Sequence, residues 1–194
     1  MAKVTDLRDL LENRLSVLLA TEKAVAKTLP RMKREANDPE LARGFERHLE
    51  ETKKHVANLE EAFARLGKRP RRAKAQAMEG LELQHKAFAG EAADDVLPDV
   101  LDLESLGAAA ATEHHEIAAY EATIVVAEAA GAHDVIELLE RNAEQERAML
   151  EKVTRLAQTL AGRERPALDQ ELRAGVTAGR SSTAAMPPRV ERSR

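Results

Sequence analysis

The chain of 194 residues has no cysteine and no tryptophan, one tyrosine and three phenylalanines. Without cysteine there can be no disulfide, thiolate zinc site, iron–sulfur cluster or cysteine nucleophile. Any metal ion must be held by carboxylate and imidazole, donors that suit iron, manganese or zinc. Aromatics at 2% and only nine glycines, beside abundant alanine and leucine, leave little from which to build a sheet. No apolar run approaches the roughly 20 residues of a membrane span, and Met1–Leu7 holds no apolar signal core. Phosphate-loop, nucleophile-elbow and dinucleotide fingerprints are missing as well. These absences predict an all-α, cytoplasmic protein with no membrane partner.

The net charge of −4 is unevenly spread. From Arg163 to Arg194 seven arginines face four acids, a local +3 that leaves the body at −7. An acidic body argues against nucleic acid as a partner. The loop Lys68-Arg69-Pro70-Arg71-Arg72 is a local exception, expected to be a solvated turn.

Four long amphipathic segments fill residues 1–162, the predicted domain. The first runs from a cap at Thr5 or Asp6 to about Ala36 on a stripe of Val4, Leu7, Leu11, Leu15, Leu18, Val25, Ala26 and Leu29. Pro30 is expected to kink or end it, and Glu22 falls at the centre of its stripe. Asp38-Pro39 restarts the chain as N-cap and first helical residue. The second helix runs to Leu66 with Gly67 as its stop. Beside its apolar line lie His48, Glu51 and His55, three and four residues apart and so neighbours on one face. A short helix near Ala73–Ala89 and an acidic turn-rich linker, Gly90 to Pro98, follow.

The third helix is expected from an Asp102 N-cap to Gly131. At about 100° per residue it gathers Leu106, Glu113, Glu116, Tyr120 and Ile124 on one face. The fourth is expected to open at Asp134 with Glu137 as its capping-box partner and to end near Gly162. It carries Val135, Leu139, Ala143, Met149, Leu150, Val153, Leu156 and Leu160 inward, with Glu146 among them. Residues 163–194 read as a basic, disordered tail.

Each long helix thus places acid or imidazole on its inner face near mid-length. Helix-borne carboxylates converging in a bundle core are how dinuclear iron and manganese sites are built. The cations supply the charge that makes burying the acids tolerable. The candidate ligands on these faces are Glu22, then His48, Glu51 and His55, then Glu113 and Glu116, then Glu146; around two ions Glu22 and Glu146 would be terminal and Glu113 or Glu116 bridging. His55 is expected outside the first coordination sphere or as an alternative ligand. Tyr120, one turn past Glu116, is placed to hydrogen-bond a ligating carboxylate. His114 and His115 fall outside the inner face, and His85 and His133 have no evident partners.

Glu22-Lys23, His48-Leu49-Glu50-Glu51-Thr52, Ala75-Gln76-Ala77-Met78-Glu79-Gly80-Leu81 and the run Glu113-His114-His115-Glu116-Ile117-Ala118-Ala119-Tyr120 give the chain a specific resemblance. Over residues 5–160 it resembles the YciE/YciF family of ferritin-like stress-response proteins. The resemblance implies a rubrerythrin-like four-helix bundle that forms a homodimer, with metal ligands at Glu22, His48, Glu51, Glu113, Glu116 and Glu146. Two departures stand out. Leu150 occupies a position where the family often has an acid, and His55 one where it usually has Gln. Met149 also stands where fuller di-iron sites carry histidine.

Two functions are compatible with the sequence. One is a centre of two divalent ions, iron ahead of manganese or zinc, handling iron, O2 or peroxide protectively in the manner of a ferroxidase or peroxidase. The other, motivated by Met149 and Leu150, is a ferritin-like interaction module without chemistry, acting through its dimer surface and basic tail.

Overall fold

The computed structural model of the chain describes residues 4–91 and 96–181, with backbone alone for Ala89 and residues 164–181. Among these residues there is no strand. The elements are α1 (Leu7–Glu35), α2 (Pro39–Arg65), α3 (Gln76–Glu91), α4 (Pro98–Ala129), a 3-10 turn at His133–Val135, and α5 (Ile136–Ser181). None of these helices is long and apolar enough to cross a membrane. Hairpins α1–α2 and α4–α5 lie side by side, α1 along α4 and α2 along α5. This leaves α1 opposite α5 and α2 opposite α4, the expected ferritin-like bundle. The crossover helix α3 rests on α4 and α1.

Local chemistry sets most of the helix ends. The Asp6 carboxylate accepts from Asp9 N at 2.8 Å, and Asp38 Oδ1 accepts from Glu40 N at 2.7 Å with Pro39 at the first turn. Gly67, at φ +63°, lets Lys68 N reach back to Phe63 O at 2.9 Å. Gly131, at φ +68°, does the same for Ala132 N and Ala127 O at 2.8 Å.

Elsewhere packing overrides the sequence signals. α1 continues through Pro30 to Glu35, because Leu29 is buried and Met32 packs beside it, holding the last turns in place. Val4 and Leu7, expected on the α1 stripe, are exposed. α4 starts four residues before Asp102, at Pro98, which suits a first helical position. Asp102 is therefore no cap for its own helix. Its buried carboxylate accepts from Asn37 N at 2.9 Å and Asp38 N at 2.6 Å, and so clamps the α1–α2 turn.

The capping box expected at Asp134 and Glu137 does not form. Full burial of Val135 pulls that stretch into a 3-10 turn, and α5 starts at Ile136. Nor does α5 end at Gly162. Gly162 does not adopt the left-handed conformation of a glycine stop; among the described residues only Gly67 and Gly131 have positive φ. Arg163 on the next residue pairs with Asp38 at 2.8 Å, tying α5 to the α1–α2 turn. The expected tail is thus helical at its start, while residues 182–194 lie outside the described residues, as do 92–95 of the linker. The basic loop is only partly a solvated turn. Arg71 pairs with Asp9 at 2.9 Å and Glu12 at 2.6 Å, and Lys68 with Glu12 at 2.6 Å.

The interior is layered. One apolar cluster, with Leu11, Leu15, Leu18, Phe63, Val135 and Leu139, fills one end of the bundle. A second, with Leu29, Leu41, Phe45, Leu106, Met149 and Val153, fills the other. Each buried Leu or Phe contributes roughly 1.5–3 kcal/mol. Between the clusters lies a layer of buried polar residues: Glu22, His48, Thr52, His55, Glu113, Glu116, Asn142 and Glu146.

Replacing Asp102 by Ala strands two backbone donors at the α1–α2 turn. It should lower unfolding stability by about 2–3 kcal/mol, measured by urea denaturation in the presence of chelator so that metal plays no part. A change below about 0.5 kcal/mol would show that the clamp is dispensable.

Candidate metal centre

The polar layer is built one helix at a time. On α1, Glu22 lies seven residues after Leu15 and seven before Leu29, two turns from each, so the leucine stripe carries it inward. On α2, His48, Thr52 and His55 succeed one another at spacings of four and three, all buried. On α4, Glu113, Glu116 and Tyr120 follow at spacings of three and four, the reverse order, and are likewise buried. On α5, Asn142 and Glu146 are one turn apart and fully buried.

Two groups of ligand atoms result. One atom each from His48, Glu113, Glu116 and Glu146 lie within 4.8 Å of one another, and the same holds for Glu22, His55 and Glu146. The shared carboxylate is Glu146. Glu113 and Glu116, one or the other of which is expected to bridge, both fall in the first group.

Within the first group His48 Nε2 lies 3.2 Å from Glu113 Oε1. In the second, His55 Nδ1 lies 2.8 Å from Glu146 Oε1 and 3.4 Å from Glu22 Oε2. The 2.8 Å contact is ionic, because the carboxylate oxygen sits off the ring's N–H direction and Nδ1 makes no aligned hydrogen bond.

His55, expected outside the first coordination sphere or as an alternative ligand, stands in the middle of the layer with the second group. The available signal was its position two helical turns after His48, on the face marked by Thr52. Glu51 takes the opposite course. Its side chain is 26% exposed at the rim, 3.8 Å from His48 Nδ1 and 3.9 Å from Lys152 Nζ, and it belongs to neither group.

A hydrogen-bonded chain backs the second group. Asn58 Nδ2 donates to Asn142 Oδ1 at 2.7 Å, Asn142 Nδ2 to the Tyr120 hydroxyl at 2.9 Å, and that hydroxyl to Glu22 Oε1. His55 Nε2 is 2.8 Å from Gln145 Oε1, an acceptor, so Nε2 donates there and Nδ1 faces the carboxylates. Asn58 and Gln145 had no mark in the sequence. Amides are unremarkable on helices until their partners are known.

Twelve buried side-chain polar atoms among the described residues lack a hydrogen-bond partner. Nine belong to Glu22, His48, His55, Glu113, Glu116 and Glu146. Such atoms are costly when orphaned, and these converge on one another. With neutral imidazoles the four glutamates carry −4, the charge that two divalent cations cancel. By donor type, donor proximity and charge, the residues fit a carboxylate–imidazole centre.

Without a metal, protons must serve. Burial pushes the Glu116 carboxyl far above the usual carboxylate range, and the neighbouring Glu22, Glu146 and Glu113 push it further. Glu146 is raised to about 7, by burial first, against the lowering contact of His55 and with a further push from Glu113. Burial also raises Glu22 against the lowering contact of His55. For the histidines burial acts downward. Glu113 and Glu51 outweigh it at His48, and Glu146 and Glu22 at His55, holding both at about 10.

Comparison with known proteins places the chain. Residues 6–165 match the family described as "Domain of unknown function (DUF892)", and the chain belongs to that family. It is similar to protein YciF of Escherichia coli K12, 29% identical over 157 residues, covering 78% of this chain and 90% of YciF. The crystal structure of that E. coli stress protein superposes with a TM-score of 0.76 at 27% identity, over 81% of this chain and 98% of the other. YcfI from Rhodopseudomonas palustris superposes with a TM-score of 0.74 at 34% identity, over 79% and 96% of the two chains. The resemblance read from the Glu113–Tyr120 run is borne out.

A group whose pKa is raised by folding stabilises the fold below its unfolded value and loses that contribution as pH rises through its folded value. Glu146 thus withdraws stability between the ordinary glutamate value of 4.5 and about 7, and His48 and His55 between the ordinary histidine value of 6.5 and about 10. The surface acids with lowered pKa, such as Asp9, Glu12 and Asp38, act below their usual range and leave this window alone. In chelator the melting temperature should therefore fall steadily from pH 5 to pH 9. A flat or rising profile over that interval would contradict the protonated layer.

Proposed function

We propose that the layer holds two divalent metal ions, iron by preference, and that the protein protects against stress by handling iron and its oxidants. The observation that carries this reading is the pair of buried ligand groups joined through Glu146, in which the orphaned polar atoms are concentrated. His48, Glu113 and Glu116 would hold one ion, Glu22 and His55 the other, and Glu146 both. Two ferrous ions so held can supply one electron each, reducing O2 with two protons to hydrogen peroxide, or peroxide with two protons to two waters.

The chain's own residues do the remaining work. Tyr120 and Asn142 fix the Glu22 carboxylate, so that Oε2 is left to face His55 and the cation. Gln145 fixes the tautomer of His55. The two apolar clusters keep bulk water from both ends of the layer. As cations arrive, Glu116, Glu146 and the imidazoles give up the protons that neutralised the layer, so affinity rises with pH. The E. coli relative is a stress protein, and the protective role is carried to this chain from it.

A second reading has its own support. The ion pairs His48–Glu113 and His55–Glu146 stabilise the layer without metal, and Met149 brings a thioether where imidazole completes fuller sites. On that reading the bundle is an interaction module and the histidine–glutamate pairs are only structural.

Metal stoichiometry separates the two. After anaerobic Fe(II) loading and desalting, the wild-type chain should retain about two equivalents, Glu22→Ala about one, and Glu146→Ala well under one, since only Glu146 serves both groups. Less than half an equivalent in the wild type, or equal losses in the two variants, would refute the shared centre.

A further inference from the structure

Beneath α3, where it crosses α1 and α4, lies a crevice of about 90 Å³. Its walls are Val25, Leu29, Phe45, Met78 and Ala109, all buried. Its floor is the ring of His48 and the carboxylate of Glu113, where both His48 nitrogens and Glu113 Oε2 lack aligned hydrogen-bond partners. Thr112 also lines it, but its hydroxyl is spent on Ala108 O at 3.0 Å. Charge appears where the lining is more exposed, in Glu79 and in the Arg31–Glu82 pair at 3.4 Å. The second apolar cluster is therefore not packed solid. It contains a cleft that leads from the edge of α3 to one end of the polar layer.

The chemistry of the walls selects the occupant. Along these walls Val, Leu, Phe, Met and Ala side chains offer no hydrogen bond, so water, cations and hydrogen peroxide would surrender theirs before reaching the polar floor at His48 and Glu113. A small apolar molecule surrenders none there, and apolar walls of this kind take up xenon. We propose that the crevice is a preformed site for a small uncharged apolar molecule, and that its physiological occupant is dioxygen rather than peroxide. The assignment to dioxygen rests on the reading of the centre given above; the occupancy of the crevice does not. Met78, in the first turns of α3, and Ala109, facing it from α4, set the bore. They are specificity-determining residues that line the crevice and are not themselves among the candidate ligands.

Methyl NMR of the metal-free protein under xenon pressure tests the site. Xenon should shift the methyl resonances of Met78 and Met149, which line the crevice, and leave Leu139, buried in the opposite cluster, unmoved. Ala109→Leu should abolish the shifts by filling the cleft; should that variant fold poorly, Met78→Phe serves the same purpose. Equal shifts at Leu139, or shifts that survive both substitutions, would overturn the site.

In Fe(II)-loaded protein the filled variant should slow oxidation by O2 several-fold and leave oxidation by peroxide unchanged. Equal slowing of both would overturn the choice of dioxygen. A protein that takes up xenon in the crevice but retains no iron would sink the metal reading alone, so the two failures are distinguishable.

Discussion

Four glutamates and two histidines share one buried layer, and the rest of the bundle is arranged around the cost of keeping them there. Ionised carboxylates cannot sit in an apolar interior without compensation. No lysine or arginine from the described residues reaches this layer. Compensation must come from protons, from the two imidazoles or from bound cations. The raised pKa values of Glu116 and Glu146 and the high values of His48 and His55 are the metal-free answer to that constraint. It leaves Glu116 with neither oxygen hydrogen-bonded, a feature that packing alone does not explain and that a cation would.

The apolar clusters on either side do more than hold the helices together. By closing both ends they lower the local dielectric, which strengthens each ionic contact in the layer and raises the penalty on any contact left incomplete. The turn clamps serve the same end. Asp102 binding the α1–α2 turn and Arg163 reaching Asp38 fix how α4 and α5 register against the first hairpin. That register brings Glu146 between the two ligand groups. The crevice under α3 is the exception to this close packing, and it opens where His48 and Glu113 stand.

Periodicity made the bundle and the inward position of Glu22, Glu113, Glu116 and Glu146 legible in the sequence, because each lies on a leucine or alanine stripe with a period of 3.6. The Glu113–Tyr120 run made the family legible. Position along a stripe does not report depth across the helix pair. His55 was therefore set too far out and Glu51 too far in, although both flank the same apolar line. That Glu146 belongs to both ligand groups was not legible either, because it depends on how α5 packs against α2 and α4. Helix ends were misread where a tertiary contact won over a local signal. Asp102 clamps a neighbouring turn, burial of Val135 displaces the Asp134 cap, and Gly162 lies inside a helix that runs on past it.

The central claim is that this layer is a two-ion site sharing Glu146. Its most direct test is anomalous diffraction at the metal edge from crystals of the protein loaded with Fe(II) or Mn(II). The account predicts two anomalous peaks between the apolar clusters, one beside His48, Glu113 and Glu116, the other beside Glu22 and His55, with the Glu146 carboxylate between them. Metal-loaded crystals that show no peak in the layer, or a single peak to which Glu146 does not contribute, would contradict it.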